Sequence, residues 1–284
     1  MIQRIAYAST IPRRIGSVLL GMAPLVSAFF ISGVLNSGLT NKAIASQAAS
    51  GSPQAETSGP ITIPRPFKVI YKADYKGLPI SATGIREFSV IADTDQRIYS
   101  LASSAVSIFA KLTEQSDFTM AAGKAQPLFY RYDRTGLGKN KSLRLNFDWL
   151  QHQVTNLDSG KIWSLPDQTL SDRLLYQFQL QTDLMNLGPE ITLGHELKYQ
   201  VQDKDQIKDY HFTVRRQIEL QTPLGAVNTY EIIRSNAERR DTTLWLAPDH
   251  EFMLIRFEQR ANDGENFSLA IEKAFIDDQP VEQF

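Results

Sequence analysis

The feature that most constrains the fold of this chain is a period-two alternation that sets in at Phe67. Phe67, Val69, Tyr71, Ala73 and Tyr75 are apolar and alternate with Lys68, Lys72, Asp74 and Lys76. Successive side chains of a strand point to opposite faces, so this pattern predicts a strand with one face buried. Gly77 then permits a turn. Strand-like runs follow at 80–91, 97–101, 129–133, 142–148, 151–156 and 161–164, and again at 196–203, 207–220, 225–235, 242–247, 253–259 and 267–276. Turn signals such as Asp158-Ser159-Gly160, Asp203-Lys204-Asp205 and Asn262-Asp263-Gly264 separate them. About a dozen strands with short connections predict a mainly β fold, an antiparallel meander that forms a closed or partly open barrel or β-spiral, because closure removes exposed edges. The stretch 103–112 has helical as well as strand character.

One segment breaks the rhythm. Between Leu170 and Leu187 the positions Leu170, Leu174, Phe178, Gln181 and Met185 fall near one helical stripe, broadened by Leu175 and Leu184. This predicts a long amphipathic helix over about 170–187, packed on the sheet. Ser171 or Asp172 can cap its start, and Gly188-Pro189 can stop it.

Ahead of the β pattern lies a different kind of sequence. A basic stretch ending in Arg13-Arg14 precedes the uncharged run from Ile15 to Leu35, and Ala43-Ile44-Ala45 stands before Ser46. That order is the n-region, h-region and cleavage site of a secretory signal, so residues 1–45 are expected to be a signal peptide. The competing reading is an uncleaved inner-membrane anchor, since 21 uncharged residues approach the length of a bilayer span. Gly16, Gly21, Pro24, Ser27, Ser32 and Gly33 dilute the run and favour cleavage. Arg13-Arg14 lacks the neighbours of a twin-arginine signal, which points to general secretion. Residues 46–66, rich in Ser, Ala, Gly and Pro, have the composition of a disordered linker. A single β-rich periplasmic domain over 67–284 is then expected, with no stable membrane anchor after cleavage.

Two counts narrow the function. The chain has no cysteine, so no disulfide, thiolate nucleophile, sulfur-ligated metal or acylated lipoprotein cysteine is possible. Arg4, Arg13, Arg14 and Lys42 are the only charges before residue 46, so the remainder carries 26 basic and 31 acidic residues, a net charge of -5. A mildly acidic domain has no electrostatic reason to seek nucleic acid or anionic lipid.

No catalytic constellation is present. His152, His195, His211 and His250 form no HExxH, and Gly194-His195-Glu196-Leu197 lacks the second histidine, so all four read as surface or structural residues and no metal is expected. The nucleophile-elbow, Ser-x-x-Lys, dinucleotide and P-loop motifs are missing, and no cofactor is expected. Asp148, Asp167, Asp172 and Glu231 are candidates for a glycosidase-like carboxylate pair, a role that depends on a separation the sequence does not encode. Trp149, Trp163 and Trp245, with Tyr130, Tyr132 and Phe147, are candidates to line a mouth for an acyl chain, a peptide or a glycan; core and barrel-rim packing is the favoured reading, since aromatics so often fill β interiors.

Several segments resemble a known family. Asp172-Arg173-Leu174-Leu175-Tyr176, Leu197-Lys198-Tyr199-Gln200-Val201, Glu219-Leu220-Gln221-Thr222-Pro223-Leu224-Gly225 and Leu244-Trp245-Leu246-Ala247-Pro248-Asp249, with the opening Tyr71-Lys72-Ala73-Asp74-Tyr75-Lys76-Gly77-Leu78, resemble the bacterial exported family called domain of unknown function 3108. The resemblance spans about 67–276 and implies a Gram-negative periplasmic protein with a barrel-like or β-spiral fold. It brings no activity or catalytic residue. The expectation is a non-enzymatic protein of cell-envelope maintenance that binds an apolar ligand, a peptide or an envelope protein. A hydrolase of envelope glycan or peptide and a purely structural interaction protein are the alternatives.

Overall fold

A computed structural model describes residues 61–75, 82–93, 96–108, 110–136, 140–166, 170–234, 240–261 and 266–284. The expected signal peptide and most of the expected linker lie outside them. The chain forms β1 (Phe67–Tyr75), β2 (Ala82–Asp93), β3 (Arg97–Val106), β4 (Ala110–Ala121), β5 (Lys124–Gly136), β6 (Lys141–Asp148), β7 (Gln153–Asn156) and β8 (Ile162–Ser164). β9 (Leu170–Asp172) and helix α1 (Leu175–Leu187) follow. The second half holds β10 (Glu196–Asp203), β11 (Gln206–Thr222), β12 (Gly225–Arg234), β13 (Arg240–Ala247), β14 (Met253–Ala261), β15 (Asn266–Ile276) and the two-residue β16 (Gln279–Pro280). Of the stretch that reads both ways from sequence, 103–106 belong to β3 and 110–112 to β4.

All sixteen strands belong to one sheet, built from two meanders. β1 to β8 pair in succession, as do β10 to β15, and the halves join where β1 pairs antiparallel with β15, from Phe67 opposite Ile276 to Tyr75 opposite Phe267. The parallel pair β9 and β10 ends the second arm. Register shifts interrupt five of the pairs, at Ile70/Tyr71, Val90/Ala92, Asp117/Phe118, Val214/Arg216 and Trp245/Leu246. Each such irregularity bends its strand and increases local twist, which curls a sheet of this width. Among the described residues no ladder joins β8 to β9, so the sheet is a partly open barrel. β9 packs against β5 without pairing to it, and this contact is the seam where the two arms meet.

The inward face of the alternation is the core. Val69, Tyr71 and Ala73 of β1 and Leu143, Leu145 and Phe147 of β6 are buried, while Lys68, Lys72, Arg144 and Asn146 between them are exposed. At the β11–β12 hairpin Gly225 adopts φ +107°, a left-handed conformation that disfavours a side chain, and the Thr222 hydroxyl donates to its carbonyl at 2.9 Å.

Helix α1 fills the interior. It starts at Leu175, five residues later than its stripe suggested, because residues 170–172 pair with β10 and Asp172 Oδ1 then accepts the N–H groups of Leu174 and Leu175, both at 2.8 Å. Gly188 stops the helix at φ +47°, its N–H donating to the Leu184 carbonyl. Its burial extends beyond one stripe: Leu175, Tyr176, Phe178, Leu180 and Leu184 are buried, and so are Gln179, Gln181 and Thr182. The phenyl ring of Phe178 lies 4.7 Å from Phe88 and 4.8 Å from Phe118 of the first arm, while Tyr176 meets Tyr210 and Phe212 of the second at 5.1 and 5.7 Å. The helix therefore ties the arms together through aromatic contacts, each contributing about 0.5–1.5 kcal/mol beyond burial.

The chain just before β1 is pinned as well. Thr62 donates its N–H to Asn186 Oδ1 at 2.9 Å and accepts from Asn186 Nδ2 at 2.7 Å, and Arg65 pairs with Glu251. Pro64 is buried. Thr62, Pro64 and Arg65, within the stretch whose composition reads as linker, are thus held against the domain. No helix among the described residues is long and apolar enough to cross a membrane.

Candidate functional site: a groove at the seam

The β9–α1 junction organises the polar side chains inside the barrel. The Asp172 carboxylate caps α1 with one oxygen and accepts from the Ser116 hydroxyl of β4 with the other. Burial pushes its carboxyl up to about 6, against the opposing effect of the Ser116 and backbone hydrogen bonds. Beside it Tyr130 donates to Glu114 at 2.5 Å, and Arg86 donates to Gln177 of α1 at 2.5 Å. Arg173 lies with its guanidinium 4.9 Å from the Tyr132 ring and its Nε 3.8 Å from Asp203 Oδ1. Asp203 also takes Lys208 at 2.6 Å; burial raises the carboxyl and lowers the amine. These groups hold the start of the helix between β4, β5 and β10.

Two cavities among the described residues border this junction. One of about 80 Å³ lies at the start of α1, lined by Tyr71, Arg86, Glu114 and Gln177 among others. At roughly 30 Å³ per water molecule it has room for two or three. The other, about 330 Å³, is a groove at the seam. β5 supplies Lys124 and Ala125, β9 supplies Ser171, α1 supplies Gln179, β10 supplies Lys198, Tyr199 and Gln200, and β11 supplies Asp209 and His211. Ladder register sets its second wall, because Lys198 stands opposite His211 and Gln200 opposite Asp209.

The floor of this groove is prearranged. Gln179 Oε1 accepts the Ala125 N–H at 2.7 Å, and its amide donates to the Gly123 carbonyl and to Asp183. Asp183 also binds Lys124 at 3.1 Å and accepts from the Tyr199 hydroxyl at 3.0 Å. Burial beside that carboxylate drives the Tyr199 phenol well above its ordinary value, so it stays a donor. One lining group is left over: Ser171 is 5% exposed and its Oγ has no hydrogen-bond partner among the described residues. A buried unsatisfied hydroxyl costs about 1–3 kcal/mol.

The residues singled out from sequence lie elsewhere. Trp149 follows β6, is partly buried and donates its indole N–H to the Pro127 carbonyl at 2.8 Å. Trp163 stands in β8 opposite Val154 and packs on the core. Trp245 is buried in β13 between Glu231 and Arg256, whose guanidinium lies 5.3 Å from its ring. None of the three lines either cavity. The acidic candidates are engaged separately: Asp148 accepts from Leu150 and Gln151 in a turn, Asp172 caps α1, and Glu231 pairs with Arg215 and Arg216; Asp167 lies outside the described residues. Among the described residues no cluster of three or more His, Cys, Asp or Glu could hold a metal. Of the histidines, His250 packs edge-on against Phe284 at 4.4 Å, with burial lowering its pKa, and His211 is the one at the groove.

The matched family spans both arms. The sequence pattern of the family described as "Protein of unknown function (DUF3108)" matches residues 70–270. The chain belongs to that family. The DUF3108 region runs from within β1 into β15, so it contains the whole seam and α1. A solved structure similar to it is the beta-barrel-like protein of domain of unknown function DUF1849 from Brucella abortus, at 11% identity and TM-score 0.51, covering 75% of this chain and 98% of that one. That likeness is one of fold. Two others are a Parabacteroides distasonis protein (9% identity, TM-score 0.31, 75% and 97% covered) and a Bacteroides fragilis protein with a YmcC-like fold (10%, 0.29, 76% and 99%). No curated protein matches the chain.

Proposed function

We propose that this DUF3108 protein is an exported, non-enzymatic binding protein of the Gram-negative periplasm, serving the cell envelope by holding a small ligand in the seam groove. Export rests on the signal-like order of residues 1–45, and the lack of cysteine argues against lipid anchoring. The observation that carries the binding role is the 330 Å³ groove at the seam, to which β5, β9, α1, β10 and β11 all contribute residues. Ligand sites begin at about 300 Å³, and the other cavity, at 80 Å³, is too small for an acyl chain beside a helix that occupies the interior.

The test is cell fractionation followed by native mass spectrometry of the periplasmic protein. The reading predicts a mature chain beginning near Ser46 that carries a non-covalent small molecule. A chain retained in the cytosol, or one that never carries a ligand, contradicts it.

A further inference from the structure

The smaller cavity, at the start of α1, holds two opposite charges that do not meet. Strand register sets them there: Arg86 of β2 stands opposite Ser103 of β3, and Ser103 stands opposite Glu114 of β4. Arg86 and Glu114 are therefore two strands apart, about 10 Å between backbones, with only a serine side chain between them. The guanidinium is 7% exposed and donates one hydrogen bond, to the neutral side chain of Gln177, so one of its five N–H groups is used. The Glu114 carboxylate accepts one, from Tyr130. Among the described residues neither makes an ion pair, an expensive state for a charge as buried as Arg86. The next row of the same three strands explains the space beside them. Gly84, Ala105 and Leu112 stand opposite one another, and the first two are too small to fill the inward face. With Tyr71 and Leu269 they give the cavity of about 80 Å³ a mainly apolar wall. Ser103 and Ala105 are only half-buried, so the cavity reaches solvent.

We infer that this cavity binds a small zwitterion, an α-amino acid the size of glycine or alanine, with its carboxylate on Arg86 and its ammonium group on Glu114. A lone anion would satisfy Arg86 and be repelled by Glu114, a lone cation would do the reverse, and a neutral molecule would leave both charges unanswered. A zwitterion answers both at once. The apolar wall leaves little water to compete, so each charged hydrogen bond is stronger there than at an open surface. Bonded atoms sit closer together than hydrogen-bonded waters do, so a space of two or three waters holds about five or six non-hydrogen atoms. That limits the side chain to a hydrogen or a methyl group. The site is separate from the seam groove and does not depend on it.

The experiment is an amide NMR titration of the exported chain with L-alanine, D-alanine, and the two molecules left when alanine loses one charged group, propionate and ethylammonium. At least one alanine enantiomer is expected to shift resonances of Gly84, Arg86, Ser103 and Glu114 saturably, about tenfold or more tighter than either single-charge probe. Glu114→Gln, which keeps the shape and an acceptor for Tyr130, should weaken alanine about tenfold or more and leave propionate no weaker. Gly84→Ala adds a methyl group that meets Leu269 and Tyr71 at an ordinary 3.4 Å, so it is compatible with the fold, and by occupying the cavity it should also weaken alanine. Propionate binding as tightly as alanine overturns the zwitterion assignment. Saturable shifts confined to Lys198 and His211 overturn the cavity as the site while leaving the seam groove a binding site. No response to any probe overturns the inference without touching the groove's role, and unchanged alanine affinity in both variants overturns the proposed contacts.

Discussion

Replacing Phe178 with alanine tests whether α1 is the element that joins the two arms. Phe178 is fully buried and its ring contacts Phe88 and Phe118, which also stack with Tyr99 at 5.6 and 5.5 Å. Buried Phe→Ala changes cost about 3–5 kcal/mol, and the upper half of that range applies where surrounding strands cannot collapse into the space. Strands held in a continuous ladder on both sides meet that condition. A loss of about 4 kcal/mol is therefore expected, equivalent to a fall in Tm on the order of 10 °C for a chain of this size. Urea and thermal unfolding of wild type, Phe178→Ala and the control Leu150→Ala measure it; Leu150 is 95% exposed, and its replacement should change stability by less than about 0.5 kcal/mol. If Phe178→Ala loses less than about 1 kcal/mol, the helix is not the structural link described above.

Three further outcomes follow from the same geometry. Asp172 titrates at about 6 when folded and near 3.8 when unfolded, so the folded state holds the proton more tightly; its contribution is present in full below pH 4 and is lost as pH rises through 6. Relative to Asp172→Asn, wild type should lose about 2 kcal/mol between pH 4 and pH 7, and a constant difference across that window in urea unfolding would refute the burial of this carboxyl. At the outer face Glu231 is 3% exposed while its partners Arg215 and Arg216 are largely exposed, so Arg216→Ala, which leaves a buried carboxylate short of hydrogen bonds, should cost about 1–3 kcal/mol and more than Glu231→Gln in the same assay. Trp149→Phe removes the bond to Pro127 and should cost about 1 kcal/mol while leaving ligand retention by native mass spectrometry unchanged.

How legible the fold was from sequence depended on what each strand faces. Where the inner face is apolar, as along β1, β6, β10 and β15, alternation gave the strands to within one or two residues. β4 escaped because its inward positions run Leu112, Glu114, Ser116, Phe118: two of them face the polar groups around Asp172, and the hydrophobic period disappears there. β9 is three residues long, too short for any period, so its apolar Leu170 merged with the stripe of the following helix. Asp172 was readable as a cap, since carboxylates favour helix starts, but its second bond, to Ser116 56 positions away, was not. The groove was half visible. Lys198, Gln200, Asp209 and His211 fall on one face of a hairpin that the sequence does predict, whereas Lys124 and Ser171 reach it only because two distant arms meet at an unpaired seam. Tryptophan drew attention as the largest aromatic; Trp149 donates to Pro127, Trp163 packs on the core and Trp245 is buried, and none of the three lines the groove.

The most direct measurement of the binding claim is a high-resolution crystal structure of the protein isolated from the periplasm without unfolding. The account predicts a small molecule seated in the seam groove, between Lys124 and His211. A groove holding only solvent contradicts it.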